Sequence, residues 1–252
     1  MAPRNLLHPF RMLGLLLLAA TFAFPMPGRG AVTCEFSEEV ASLRNPADSA
    51  SYSEEVRREL RIREELLSRI LDCSIDEARE TEERLAAIIP PTHGAVAKSD
   101  LQSEFADVLR FYETEKEKIG VLGLQGTKDF SKNLLDWRKA RYSPFAEKIE
   151  NFSTWSDNQK VFSLAENRMR QVGQTVRVLR PVDNIDVDTL FGQAEQSFRD
   201  ADGKNRDITR LFRKENSPDD SLNAMKSSLE SLSATYEHLF RLSELVQEIL
   251  PH

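Results

Sequence analysis

The sequence predicts an all-α protein, an elongated antiparallel helical bundle with coiled-coil-like hairpins. Only 10 of the 252 residues are glycine, whereas soluble proteins average ~7%. Runs of β-branched residues are few, and long segments between prolines and glycines repeat apolar residues at helical spacing. With 40% hydrophobic and 30% charged residues, the chain has the composition of a globular protein rather than a disordered or wholly membrane-embedded one.

These segments divide the chain into four parts. In chain order we expect a signal peptide (1–30), an N-terminal helical segment (31–126), a central kinked helix (127–180) and a C-terminal helical hairpin (181–252).

The first part has the order of a secretory signal. Arg4 and Arg11 supply a positive start, and residues 12–24 are apolar and uncharged. A helix of that length covers ~20 Å, less than the ~30 Å of a bilayer core. Small residues three and one positions before Ala31 suit cleavage ahead of it. We therefore expect export, to a periplasmic, cell-surface or secreted location.

Two alternatives for this segment stay open. The apolar run could remain as an uncleaved anchor, which would be the chain's one contact with a membrane. Lipidation at Cys34 is less favoured, because Thr33 precedes it where a small residue is expected.

The chain has two cysteines, Cys34 and Cys73, and both follow the signal. Export implies an oxidising compartment, so we expect a structural disulfide between them. Free buried thiols are the alternative. Redox or metal chemistry lacks support, since there is no Cys-x-x-Cys and no histidine lies near either cysteine in sequence.

Prolines and glycines mark the ends of the helices that we predict in the N-terminal segment. We predict a short helix over 35–44, a long helix from Ser53 to Ile89 that ends at two prolines, and a third helix that begins at Ser99 or Asp100. Glycines at 120, 123 and 126 superficially suggest a phosphate loop. No strand pattern precedes them and no Gly-Lys-Ser/Thr follows, so they predict a turn between helices.

The central helix should start at Thr127 and be kinked or restarted at Pro144, whose ring removes a backbone donor. From Phe162 onward its apolar residues alternate steps of three and four, as in a coiled-coil seam. Six aromatic residues accompany this helix, and they are either core or the floor of an apolar ligand groove. They are Trp137, Tyr142, Phe145, Phe152, Trp155 and Phe162.

The C-terminal hairpin has two predicted seams, joined by a short loop. The first is Val187, Phe191, Ala194, Phe198, Ala201, Asn205, Ile208 and Phe212, in which Asn205 is a candidate register-setting residue. The second is Leu222, Met225, Leu229, Leu232, Tyr236, Leu239, Ser243, Val246 and Leu250. Ser217 as N-cap with Pro218 behind it predicts the start of the last helix.

Apolar residues also occur beside the second seam. Phe240, Leu242, Leu245 and Ile249 widen the apolar surface of the last helix beyond one stripe. We expect them to form an interaction surface for a protein partner, so that Leu245 serves a partner more than the fold.

No motif in the chain indicates catalysis, and we expect no enzyme activity and no cofactor. The chain has four histidines, and none belongs to a zinc, metalloprotease or serine-hydrolase pattern. Asn184, Asp186, Asp188 and Glu195 have part of the spacing of a calcium loop. Thr189 stands where that loop needs glycine, and acids at a helix start explain the pattern without a metal.

The formal net charge is −7, and the first 30 residues hold three arginines and no acid. The acidic remainder lacks the basic face that nucleic-acid binding requires, so we expect no nucleic-acid partner. We expect an exported helical scaffold or protein-interaction protein of the cell envelope or exterior, with an unknown protein partner. The alternative is an extracytoplasmic module that holds an apolar ligand in an aromatic-lined groove.

Overall fold

The computed structural model describes residues 34–44, 51–179, 185–213 and 216–249. These residues form seven α-helices and no β-strand, which confirms the all-α prediction. The helices are α1 (Ser37–Arg44), α2 (Tyr52–Ala87), α3 (Ala95–Glu117), α4 (Leu124–Trp137), α5 (Ser143–Leu179), α6 (Ile185–Leu211) and α7 (Pro218–Ile249). The predicted signal peptide, 1–30, lies outside the described residues.

Two predicted helix starts are wrong by a few residues. Helix α3 begins at Ala95 rather than at Ser99 or Asp100, because a 3₁₀ turn over Thr92–Gly94 leads directly into it. Helix α4 begins at Leu124 rather than at Thr127. Thr127 already donates its N–H to the carbonyl of Gly123 (2.9 Å), so the glycine at 126 lies inside the helix.

The predicted interruption at Pro144 takes the form of a π-helical turn. It covers Arg138–Tyr142, between the end of α4 and the start of α5. Pro144 has no N–H for a helical hydrogen bond, and a wider turn before it accommodates the missing donor. The central helix of the prediction is thus α4 and α5, joined by a π turn.

The chain divides into two compact units. The first unit comprises the described residues of Met1–Ala86 and Ser103–Pro144. Its buried apolar side chains come mainly from α2, α3 and α4. Cys34 and Cys73 are joined in this unit with Cα atoms 6.3 Å apart, as predicted. The disulfide ties the chain just before α1 to α2, where the Arg69 guanidinium also donates to the carbonyl of Glu35 (3.2 Å).

The second unit comprises the described residues of Ala87–Gln102 and Phe145–His252. Its helices α5, α6 and α7 share three successive apolar layers. The layers are Phe162, Ala165, Ala201 and Leu232; then Met169, Ala194 and Leu239; then Val176, Val187 and Leu242. Numbers rise along α5 and α7 while they fall along α6, so α6 is antiparallel to both neighbours. The predicted hairpin is confirmed.

The seam predicted for α6 is confirmed. Its residues are buried or half-buried along the whole helix. The polar member, Asn205, is 2% exposed. Its amide exchanges two hydrogen bonds with Gln159 (2.9 and 3.1 Å), and its carbonyl accepts the indole N–H of Trp155 (3.1 Å). A buried amide is tolerated on this seam because its donors and acceptors are satisfied.

The start of α7 is also as predicted. The Asp219 N–H donates to the hydroxyl of Ser217 (3.2 Å), and the Ser217 N–H donates to the carboxylate of Asp220 (3.0 Å). This reciprocal arrangement satisfies two backbone donors that a helix start leaves unpaired.

Candidate interaction surface on the last helix

Helix α7 buries a different stripe from the one that hydrophobicity predicts. Met225, Leu232 and Leu239 are buried as expected. The prediction is wrong for Leu222, Leu229 and Tyr236, whose side chains are 36–39% exposed. Ser221, Ser228, Thr235 and Leu242 are buried in their place.

Close packing between α6 and α7 explains this change of register. Helix α6 presents Ala194 and Ala201 to α7, and both alanines are fully buried. Across the contact, the hydroxyl of Ser228 donates to the backbone carbonyl of Ala201 (2.9 Å). Thr235 satisfies its own hydroxyl on the carbonyl of Ser231 (3.1 Å). Ser228 shares the contact at Ala201 with Leu232, and a small side chain whose hydroxyl is satisfied lets the two backbones approach closely there. Leu222, Leu229 and Tyr236 lie outside this contact.

The displaced leucines leave α7 with an apolar outer face. We call Leu222, Leu229, Tyr236 and Phe240 the outer stripe. Phe240 is 65% exposed, which is unusual for a ring of this size. The two ends of the stripe are 18 positions apart on continuous helix, or about 27 Å.

A groove runs beside the outer stripe, between α7 and α5. Its volume is about 730 Å³, and Tyr236, Phe240 and Arg241 of α7 face Val172 and Arg168 of α5 across it. The lining is mixed, since apolar Leu239 and the charged Glu237 belong to it as well. Apolar side chains with charged residues beside them suit the binding of an amphipathic helix.

The four residues predicted as an interaction surface have different surroundings. Phe240 is exposed, so it is accessible to a partner. Leu242 is 2% exposed and packs against Val176 and Val187, so it belongs to the core and not to a surface. Leu245 is half-buried against the same layer. The Ile249 side chain lies outside the described residues.

Sequence analysis therefore placed three of the four residues of the outer stripe on the wrong side of α7. Leu222, Leu229 and Tyr236 were assigned to the core because they repeat at intervals of seven with the other large apolar residues. The signal that identifies them is the parallel repeat of small hydroxyl residues at 221, 228 and 235, which is also spaced by seven.

The aromatic residues proposed as a groove floor are mostly core. Five of them are buried, and Trp137 is half-buried. In the first unit Trp137 stacks on Phe111, with ring centroids 3.7 Å apart, and contacts Tyr112 edge to face. In the second unit Trp155 stacks on Phe152 and contacts Phe212 edge to face. These rings fill two separate cores, so they do not form the continuous open floor that the ligand-binding alternative requires.

A half-buried ion pair lies at the π turn of the first unit. Arg138 donates to both carboxylate oxygens of Glu77 (2.6 and 2.8 Å) and lies over the ring of Tyr142. Burial raises the pKa of Tyr112 and of Tyr142 far above its usual value, so both phenols stay neutral. π-Helical turns often occur at functional sites. Here the π turn places the Arg138 guanidinium beside the Glu77 carboxylate, and the ion pair links this turn to α2.

The second unit has a smaller cleft of about 370 Å³, beside His93, Asn205 and Arg206. The His93 ring meets Trp155 edge to face, with centroids 5.4 Å apart. Burial is the main cause that lowers the pKa of His93, and the charge of Arg206 adds to it. At neutral pH the ring is therefore uncharged.

The calcium-like spacing does not assemble into a site among the described residues. Asp186 and Asp188 lie in the first turn of α6, where the helix dipole favours acids. Asn184 lies outside the described residues. In the part of the chain that the structure covers, no three His, Cys, Asp or Glu side chains are grouped to hold a metal ion.

Among the described helices, none is both long enough and apolar enough to cross a bilayer. Comparison of the chain with protein-family models, with characterised proteins and with solved structures gives no significant match.

Proposed function

We propose that this chain is an exported helical scaffold that binds another protein through a helix face. The observation that carries the proposal is the outer stripe of α7, four large apolar side chains that remain exposed although the core side of the helix is filled. Exposed apolar residues that are grouped on one element mark interaction sites more often than scattered ones do. A rigid helix also presents them at low entropic cost.

The export half of the proposal draws on two independent features. The charged, apolar and small-residue order of residues 1–30 is that of a cleavable signal. The Cys34–Cys73 disulfide is consistent with an oxidising compartment outside the cytoplasm. A disulfide between α2 and the chain before α1 would persist there, whereas cytosolic reductants would open it.

Recovery of the native protein from its host tests export directly. We expect the extracytoplasmic fraction to contain a chain whose N-terminus is Ala31, with no free thiol by mass spectrometry. Recovery of the intact Met1 form from the cytoplasm, with both cysteines reduced, would overturn the export half of the proposal.

A pair of matched variants tests the interaction half. Phe240→Ser removes the most exposed ring of the outer stripe, and Val178→Ser removes an apolar side chain of α5 that is 77% exposed and off the stripe. Both should leave the melting temperature nearly unchanged, because neither side chain is buried. Crosslinking in the native host followed by purification should give a specific adduct with wild type and Val178→Ser, and much less with Phe240→Ser. Equal adducts from all three proteins would contradict the proposal.

A further inference from the structure

We infer that the smaller cleft of the second unit is a binding site for a small organic ammonium ion. The cleft has a volume of about 370 Å³, and the described residues that line it belong to α5, to α6 and to the turn that leads into α3. Pockets that hold small organic molecules start at about 300 Å³. This site is separate from the outer stripe of α7, so the inference goes beyond the proposed function.

The most buried polar group of the cleft is a pair of amides. Asn205 is 2% exposed, and its amide exchanges two hydrogen bonds with Gln159 (2.9 and 3.1 Å). The second hydrogen of the Gln159 amide goes to the carbonyl of Trp155 (2.8 Å), so Gln159 can offer a ligand only its oxygen. Each of the two side-chain oxygens accepts one of these bonds and has a second lone pair. The pair is thus held in place and suits a ligand that donates N–H bonds.

Aromatic side chains form much of the remaining wall. They are the His93 ring, the buried Phe162 and the half-buried Phe198. The turn that carries His93 is held on Trp155, since a Cβ at Gly94 would lie only 2.6 Å from the indole ring. Aromatic rings attract organic cations, and a wall that is fixed before binding lowers the entropic cost.

The charges of the cleft also favour a cation. Its described lining has two carboxylates, Asp202 and Glu166, and one guanidinium, Arg206, while His93 is uncharged at neutral pH. Arg206 pairs with Asp202 (2.7 Å), but its side chain is 67% exposed and that of Asp202 only 31%. The guanidinium is therefore well solvated and neutralises the deeper carboxylate incompletely.

The second carboxylate is also only weakly neutralised. Glu166 lies 3.5 Å from Arg170, and both side chains are more than 60% exposed. A ligand with a primary ammonium group and a short apolar chain satisfies all three features of the cleft. Its N–H groups suit the amide oxygens, its charge suits the carboxylates and its apolar part suits the rings.

The test uses the phenethylammonium ion with two analogues of the same shape, phenethyl alcohol and hydrocinnamate. Nuclear magnetic resonance titration of the full, isotope-labelled, disulfide-bonded chain follows both indole N–H signals. Trp155 reports on the cleft, because its indole donates to the carbonyl of Asn205 (3.1 Å). Trp137 belongs to the first unit and is the internal control. We expect the ammonium ion to shift the Trp155 signal with a dissociation constant of about 1 mM or lower, the alcohol to bind at least about 10-fold more weakly, and hydrocinnamate to leave the signal unchanged.

Substitutions of the ion pair separate charge from structure. Asp202→Asn should raise the dissociation constant of the ammonium ion about 10-fold, whereas Arg206→Gln should lower it about 3-fold by removing a competing cation. If the pair only shaped the cleft, its loss would move both constants in the same direction. Asp207→Asn makes the same charge change on α6 at a side chain that is 68% exposed and pairs with Arg210. It should bind as wild type does.

Three results would overturn the inference. They are a Trp155 signal that the ammonium ion does not shift at high concentration, hydrocinnamate that binds as tightly as the ammonium ion, and Asp202→Asn that binds as Asp207→Asn does. The proposed function is tested separately, since Phe240 lies outside the cleft. Phe240→Ser should therefore bind the ammonium ion as wild type does, whatever its effect on the crosslinked adduct.

Discussion

The two units of this protein are stabilised by different means. Besides its apolar core, the first unit has two cross-links between residues far apart in the chain, the disulfide and the Arg138–Glu77 ion pair. The second unit repeats one kind of apolar layer along three helices. Loss of one cross-link in the first unit removes a unique constraint, whereas the second unit spreads its stability over equivalent layers. A single substitution should therefore cost most where it removes one of these cross-links.

The largest expected effect is removal of the disulfide. Cys34 and Cys73 are 39 residues apart, and closing a loop of that length stabilises the fold by about 4 kcal/mol in the chain-entropy model. Urea denaturation of Cys34→Ser/Cys73→Ser should show a loss of that size. Reduced wild type is the control, and it should unfold together with the double variant. If oxidised and reduced wild type unfold at the same urea concentration, the disulfide does not stabilise the first unit.

The next effect tests one layer of the second unit. Leu232 is 3% exposed between Phe162 and Ala201, so Leu232→Ala should cost roughly 2–5 kcal/mol through lost burial and a cavity. Leu229→Ala, one turn away on the outer stripe, makes the same chemical change and should cost less than about 1 kcal/mol. Equal losses in thermal melts would mean that α7 is buried on two sides and that the outer stripe is not exposed.

A smaller loss is expected when the ion pair of the first unit is broken. The Arg138 and Glu77 side chains are only 14% and 28% exposed, so Arg138→Met strands a poorly solvated carboxylate and should cost about 2–3 kcal/mol. The comparable change at Arg170, whose pair with Glu166 is 62–63% exposed, should cost under about 1 kcal/mol.

A second substitution separates the free-energy cost of an unpaired Glu77 carboxylate from the cost of the lost contact. Adding Glu77→Leu to Arg138→Met should recover part of the stability, because no charge is then left without a partner. Urea denaturation that shows additive losses for the two changes would argue against a coupled pair.

Two glycines of the second unit should respond in opposite directions. A Cβ at Gly94 would lie 2.6 Å from the Trp155 ring and 3.0 Å from Pro90, so Gly94→Ala should cost about 1–3 kcal/mol. A Cβ at Gly203 meets nothing within 4 Å, so Gly203→Ala should stabilise α6 by about 0.5–1 kcal/mol. If calorimetry finds no loss of stability in Gly94→Ala, the turn over Thr92–Gly94 can shift at little cost in free energy.

The smallest effect is a pH dependence at the same turn. The folded state holds the pKa of His93 below its ordinary value of about 6.5, so the unfolded chain binds more protons in this range. Stability due to His93 is therefore complete above about pH 6.5 and declines as the pH falls through the folded pKa. Between pH 7 and 5, the melting temperature of His93→Gln should change slightly less with pH than that of wild type. A steeper dependence in the variant would contradict the sign.

Much of the fold was predictable from local pattern. Periodic apolar residues indicated the helices, and the seam of α6 lies where it was predicted. The start of α7 at Ser217 and Pro218 follows from capping chemistry, which depends on four consecutive residues. The disulfide followed from the signal and from there being two cysteines. Each of these inferences depends only on residues that are close in sequence or on the number of residues of one type.

The contacts that were missed join residues that are distant in sequence. Arg138 and Glu77 are 61 residues apart, and nothing in either neighbourhood marks the other. The start of α3 was misplaced because the 3₁₀ turn before it is held by Gly94 packing under Trp155, a contact across 61 positions. Helix signals show that a segment is helical, but they do not show what a turn packs against.

Helix α7 shows which features follow from the sequence and which follow from the tertiary structure. Its sequence determines that α7 is helical and that it carries more apolar surface than one contact can bury. Which stripe is buried was decided by α6, whose alanines admit a close backbone approach that Ser228 completes through a hydrogen bond to the carbonyl of Ala201. Hydrophobicity ranks leucine above serine at any buried site, whereas packing selects the side chain that fits the available space. The tertiary structure therefore left Leu222, Leu229 and Tyr236 on the outside.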